Sequence, residues 1–254
     1  MSRLVGAIVR TGFVALLAHS GLVNASEVKL LSVVALGPAL NELVPQFERA
    51  TGHKLVIQYG SSPTFKQQIE TGEVFDLAIL TAPIVDELAK HGKVTGETRT
   101  VVARSGIGVA VRADAPRSDI GSVDGFKRRL LRARSITYAP EGAIRNHLLK
   151  VFDRLGVIEE MKIKTTPRKS VDLVLQAVAD GEAELGFATI GAILSARGTK
   201  LLGPFPAELQ DYVVLTAAVS AATRDAEAAK ALIKFLTSPA AVQVIRAHGM
   251  EPGI

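Results

Sequence analysis

Short runs of β-branched and aliphatic residues alternate along the chain with longer segments whose apolar residues recur every three or four positions. No other feature constrains the fold as strongly. Strands separated by helices pair in parallel, and a sheet built this way carries helices on both faces. Residues 28–34 and 54–59 read as buried strands. Between them Leu40, Leu43, Val44 and Phe47 fall at i, i+3, i+4 and i+7, an apolar helical stripe ended by Gly52. Further strands are expected over 75–80, 106–112, 136–139, 185–188 and 212–219. Further helices are expected around Phe65 and Ile69, around Ile84, Val85 and Leu88, and over 192–196. Leu148, Val151, Phe152 and Leu155 mark another, closed by Gly156, and Val171, Val174, Leu175 and Val178 one closed by Gly181. Two closing helices, 226–236 and 239–248, are separated at Ser238-Pro239, a cap followed by proline in the first helical turn. The expected class is α/β.

In such sheets ligands sit beyond the carboxyl ends of the strands. Four strand-to-helix turns carry small or hydroxylated residues directly before a helix: Ala35-Leu36-Gly37-Pro38, Tyr59-Gly60-Ser61-Ser62-Pro63-Thr64, Ala139-Pro140-Glu141-Gly142-Ala143 and Pro167-Arg168-Lys169-Ser170. In the second, Ser62 fits the cap and Pro63 the first helical position. A helix start offers unpaired N–H groups and about half a positive charge. One such turn is an ordinary cap. Four on the same edge of the sheets make a site for an oxyanion or carboxylate without a metal.

The first 25 residues read as an export signal. Arg3 is followed by an apolar stretch over 4–18, broken by Arg10, and Val23-Asn24-Ala25 has the small residues of a cleavage site. Cleavage is expected after Ala25, giving a periplasmic protein. The apolar run is too short and too interrupted for a bilayer span of about 20 residues. The rest of the composition works by exclusion. There is no cysteine, hence no disulfide, thiolate metal site or cysteine nucleophile. Aromatic residues make up 5% with no Trp, too few for a base-stacking platform. The net charge of +5 is scattered over the chain, so a preference for anions is expected and nucleic acid is not. His19, His53, His91, His147 and His248 lack metal-ligand spacing, and no phosphate loop, dinucleotide fingerprint or serine nucleophile elbow is present. No cofactor or metal is expected. Gly106-Ile107-Gly108-Val109-Ala110 is a glycine pattern inside a strand, suited to close backbone packing.

The run Val33-Val34-Ala35-Leu36-Gly37-Pro38-Ala39-Leu40-Asn41-Glu42-Leu43, followed by Phe47-Glu48-Arg49-Ala50-Thr51-Gly52, then residues 60–72 (Gly60-Ser61-Ser62-Pro63-Thr64-Phe65 through Gly72) and Phe75-Asp76-Leu77-Ala78-Ile79-Leu80, resembles the periplasmic molybdate-binding proteins of ABC importers. Phe235-Leu236-Thr237-Ser238-Pro239-Ala240-Ala241 looks like the closing helices of type II solute-binding proteins in general. The resemblance implies a two-lobed type II periplasmic binding protein fold with a ligand cleft between the lobes. Lobe I is then 26–104 with 221–254, and lobe II is 105–220. It also implies a monomer that hands a small anionic ligand to the membrane component of an importer. Relatives hold tetrahedral oxyanions through serine hydroxyls, backbone N–H groups and often a tyrosine. Here the first-turn serine falls on Ala35 and the second on Ser62. The backbone donors fall near Ile144 and Val171, and the tyrosine falls on Thr189. Two donors are thus missing, each worth about 1.5–3 kcal/mol toward a charged ligand. The candidate ligand-binding set is Ala35, Gly37, Ser61, Ser62, Ile144, Arg145, Ser170, Val171 and Thr189.

Two functions fit this set. In the first the chain captures a small anion by hinge closure, and the basic residues Arg145, Arg168 and Lys169 favour an organic carboxylate over molybdate, because a guanidinium fork matches a planar carboxylate. In the second the same scaffold is an enzyme, since some proteins resembling the family are periplasmic isomerases of small tricarboxylates such as aconitate. That reaction needs a base, for which His147 or Lys169 is the candidate, and cationic clamps, for which Arg145 and Arg168 serve.

Overall fold

A computed structural model describes residues 25–253; of the expected export signal only Ala25 lies among them. The chain runs β1 (Glu27–Val33), α1 (Gly37–Thr51), β2 (Lys54–Gly60), α2 (Ser62–Glu70), β3 (Leu77–Thr81), α3 (Ala82–Lys90) and the long β4 (Thr100–Arg112). It continues with α4 (Val123–Arg132), β5 (Ile136–Thr137), α5 (Arg145–Arg154), α6 (Ile158–Lys164), α7 (Val171–Ala179), β6 (Leu185–Thr189), α8 (Ile190–Ser195) and β7 (Thr199–Pro204). It closes with β8 (Tyr212–Val219), α9 (Ala226–Leu236), α10 (Pro239–Ala247) and β9 (Glu251–Pro252).

The strands order as β2-β1-β3-β8-β4-β6-β5, with β7 and β9 also on β4. The expectation of all-parallel sheets holds only at the two outer ends. β1 is parallel to β2 and β3, and β5 is parallel to β6. β8 runs antiparallel to β3 and β4, and β4 is antiparallel to β6 and β7. The cause is the chain crossing between two halves on β4 and returning on β8, which reverses direction in the middle of each sheet.

β4 changes partners at one peptide bond. Gly106 is opposite Tyr212 of β8, whereas Ile107 is opposite Thr189 of β6. The sequence pattern marks this strand only from residue 106, because Arg104 interrupts the apolar run of its first half. In the fold Arg104 projects to the edge, where it pairs with Glu251 and stands 4.6 Å from the Tyr212 ring centroid.

The buried side chains separate accordingly. One cluster gathers Leu30, Leu31, Leu40, Phe47 and Ile79 with Leu215, Leu232 and Ile245. A second gathers Ile107, Val109, Phe126, Leu148, Phe152, Phe187 and Phe205. A third, with Ala110, Leu175, Val178, Ala188 and Ile193, covers the opposite face of the second sheet. Helices therefore cover both faces there, as the alternation requires.

Candidate functional site

In the first half, the register brings three strand ends level. Val33 is opposite Gly60, and Ser32 is opposite both Tyr59 and Ile79. Each strand then feeds a helix with proline in its first two positions, Pro38 in α1, Pro63 in α2 and Pro83 in α3. Proline there removes a donor that no helix carbonyl would meet, and its fixed φ starts the turn. A 3-10 turn, Val34–Leu36, precedes α1 and contains Ala35.

The second turn corrects the expected cap. Ser61, not Ser62, is the N-cap of α2, since its Oγ accepts the Thr64 N–H at 3.2 Å and lies 2.7 Å from Thr64 Oγ1. Ser62 is the first helical residue and is buried. Its Oγ accepts the backbone N–H of Thr81 at 3.0 Å, so the α2 and α3 turns are tied together. A hydroxyl that accepts from a backbone amide keeps its own proton for a ligand oxygen.

Gly37 is buried because the Tyr59 ring lies on it. A Cβ at Gly37 would come within 3.4 Å of Tyr59 Cε1. The Tyr59 hydroxyl bonds Asn41 Oδ1 at 3.2 Å, and burial pushes the phenol above its ordinary value, so it stays protonated as a donor. Neither Tyr59 nor the Thr81 turn belongs to the sequence-derived set. The Thr81-Ala82-Pro83 segment repeats the small-residue and proline pattern of the first two turns, and that signal was available.

In the second half, β5 lies between β6 and an extended stretch entered at Thr165. Thr166 N donates to Ile136 O at 3.0 Å and Arg168 N to Tyr138 O at 3.1 Å. These three parallel segments lead into α8, α5 and α7, so Thr189, Ile144 and Ser170 stand at one edge as their respective N-caps. Ser170 Oγ accepts the Leu173 N–H at 3.3 Å, next to Val171 at the first helical position. Ile144 and Thr189 make no side-chain cap bond. For α8 the cap comes from elsewhere, since Ser105 Oγ on β4 accepts the Gly191 N–H at 3.1 Å.

The basic residues divide into two kinds. Arg168 is committed to Glu182 at 2.6 Å. Arg145 and Lys169 are exposed, and neither takes part in an ion pair among the described residues; Arg145 contacts only the neutral Asn146 Oδ1, at 3.0 Å. His147 is engaged at both ring nitrogens, with Nε2 2.7 Å from Leu209 O and Nδ1 3.3 Å from Asp211 Oδ2.

The two edges meet at α8, which packs against the Val34–Leu36 turn of the first half. This brings the Thr189 turn to the Ala35 turn. Two glycines bring α8 close to the segment after α10 as well: a Cβ at Gly191 would come within 3.2 Å of Met250 Cγ, and one at Gly249 would overlap Leu194 Cδ1. Beside this contact Gln210 spans the crossing, its Oε1 accepting Ile107 N–H at 2.8 Å and its Nε2 donating to Ile107 O at 3.0 Å.

Two edges rich in helix starts, one from each half, are joined by the two crossing strands β4 and β8. A family model described as bacterial extracellular solute-binding protein matches residues 28–251. The chain belongs to this family. Aconitate isomerase from Pseudomonas sp. is 30% identical over 248 residues, covering 93% of each chain. Molybdate-binding protein ModA from Azotobacter vinelandii is 30% identical over 236 residues, covering 89% of this chain and 90% of that one. The solved Azotobacter vinelandii periplasmic molybdate-binding protein superposes with a TM-score of 0.73 at 23% identity, over 88% of this chain and 98% of that one. This solute-binding protein therefore has the mixed α/β, two-lobed periplasmic binding protein fold, with its ligand cleft between the lobes.

Proposed function

We propose that the chain captures a small organic polycarboxylate in the periplasm, closes its lobes on it and delivers it to an ABC importer. The observation that carries this reading is the pair of cations at the lobe II edge. Arg145 and Lys169 flank the starts of α5 and α7 without an acidic partner among the described residues. A small tetrahedral oxyanion is held by amides and hydroxyls, and this chain lacks a hydroxyl at position 35 and a phenol at position 189. A carboxylate-bearing ligand replaces those donors with charge-assisted bonds. Closure is driven by contacts made only when both edges touch the ligand.

The test is a melting-temperature series with citrate, cis- and trans-aconitate, succinate, molybdate, tungstate and sulfate. A polycarboxylate should raise the midpoint by several degrees at a concentration about 100 times its Kd, through roughly 2.7 kcal/mol of linkage. A response confined to molybdate and tungstate would replace the carboxylate by an inorganic oxyanion.

A second reading is favoured by the identity to aconitate isomerase over nearly the whole of both chains. Moving a double bond between carbons requires a base for a carbon-bound proton and cations for the developing enolate. His147 has both nitrogens engaged, which leaves Lys169 as the base in this reading, with Arg145 as clamp. Incubation with trans-aconitate, followed by NMR for cis-aconitate, decides it; absence of turnover removes the enzyme.

A further inference from the structure

Basic residues are spread along the chain, but one end of the second half collects them. Residues 125–140 hold Lys127, Arg128, Arg129, Arg132 and Arg134 and no acidic residue. Arg129 and Arg134 are both met by Glu184. Lys127, Arg128 and Arg132 take part in no ion pair among the described residues. Helical spacing puts Arg128, Leu131 and Arg132 on one exposed face of α4, away from the buried Phe126 and Leu130. In α6, Lys162 and Lys164 pair with Glu159 and Glu160 of their own helix. Ile163 between them is 88% exposed, more than any other large apolar side chain among the described residues. The Lys164 ammonium also donates to Leu131 O at 2.6 Å, which ties the last turn of α6 to that of α4. Each helix then leads into one of two neighbouring extended segments, bridged at Ile136 and Thr165. Both helix ends thus lie where these segments begin, opposite the starts of α5 and α7 into which they lead.

We infer that this end of the protein docks on an anionic phospholipid surface. Ile163 and Leu131 enter the headgroup layer, and Lys127, Arg128 and Arg132 meet its phosphates. A single exposed isoleucine is ordinary. An isoleucine and a leucine on helix ends joined by an ammonium, with three uncompensated cations beside them, have the mixture that binds a lipid interface. Ile163 projects into solvent rather than lining a groove, so a planar partner meets it where a peptide would find no slot. The long stems of the lysine and arginines lie along apolar surface while their charges reach the phosphates. Each cation near such a surface strengthens binding about fivefold, and three together about a hundredfold. The attraction reaches about 10 Å in 0.1 M salt and about 3 Å in 1 M salt. The helix starts of the candidate site stay open to ligand in this arrangement, and the inference does not depend on which ligand they hold.

The experiment is flotation of the untagged, exported protein with two kinds of vesicle. One is equal parts phosphatidylglycerol and phosphatidylcholine, the other phosphatidylcholine alone. Binding is expected only to the first, and it should vanish in about 1 M salt. Arg128→Gln with Arg132→Gln should weaken it about 25-fold, and Ile163→Ser about tenfold. All three positions are exposed, so the melting midpoints should hold and show that the variants are folded. Arg49→Gln with Arg246→Gln removes the same charge from exposed positions of the first half and should change binding by no more than about twofold. Equal losses for the two double variants would reduce the effect to net charge and overturn the docking surface. Unchanged binding of Ile163→Ser would overturn the entry of the apolar side chains. Failure to float with phosphatidylglycerol, or retention on polyglutamate alone, would exclude a lipid partner and overturn the inference.

Discussion

Ser62 Oγ accepts the Thr81 N–H at 3.0 Å, and this bond makes one unit of the α2 and α3 turns. The serine is both a ligand candidate and a structural tie. Ser62→Ala leaves the Thr81 amide without its acceptor, a loss of about 1–3 kcal/mol if water does not replace it. Urea denaturation should register that loss in the ligand-free protein. Ligand affinity should fall further than stability does, because the hydroxyl proton is lost as well. A variant with unchanged affinity would remove Ser62 from the site.

Arg145→Ala should act differently. The guanidinium is exposed and among the described residues bonds only the neighbouring Asn146, so the unfolding midpoint should stay within about a degree or two. Titration calorimetry with the best carboxylate should show a loss of about tenfold to a hundredfold, as for a hydrogen bond to a charged group. Arg168→Ala, by contrast, breaks the pair with Glu182 and should leave affinity nearly intact. Equal losses for the two variants would contradict this division of the basic residues.

The alternation is legible in the sequence because strands and helices here bury enough apolar residues to show their periods. Where burial is sparse the signal fails. In α4 only Gly125, Phe126 and Leu130 are buried among its charged residues, and in α6 only Met161. β7 has no buried residue at all. Neither helix stands out in the sequence pattern, nor does that strand. The glycine pattern from Gly106 does mark close packing, since a Cβ at Gly108 would overlap Leu201 Cδ1. The turns of the site are visible as small and hydroxylated residues before helices. Which cations remain uncompensated is not visible, because Glu182 reaches Arg168 only through the fold.

Gln210 supplies a prediction about the crossing. Its amide reads both backbone groups of Ile107, where β4 exchanges β8 for β6. Gln210→Ala leaves the Ile107 N–H unpaired, whereas Ile107 O keeps the Phe205 N–H at 3.1 Å. The expected cost is about 1–2 kcal/mol in denaturant unfolding. Gln210→Glu retains an acceptor for Ile107 N–H but turns a second oxygen toward the carbonyl, so it should recover only part of the loss. Complete recovery by Glu would show that the donor half of the clamp contributes nothing.

Glu184 sets an acid limit on lobe II. Burial raises its pKa, but the Arg134 N–H at 2.9 Å and the Arg129 guanidinium at 2.9 Å outweigh this and hold the carboxyl below its ordinary value of 4.5. A group whose pKa is depressed by folding stabilises the native state above its unfolded value and loses that contribution as pH falls through the folded one. The Glu184 contribution should therefore be complete at neutral pH and disappear progressively below about 4.5. Glu184→Gln keeps an acceptor for Arg134 N–H and abolishes the titration. Its stability, measured by urea unfolding from about pH 7 to about pH 3, should lie below the wild type at neutral pH and converge with it in acid. Parallel curves across that range would mean that the two arginines gain nothing from the charge of Glu184.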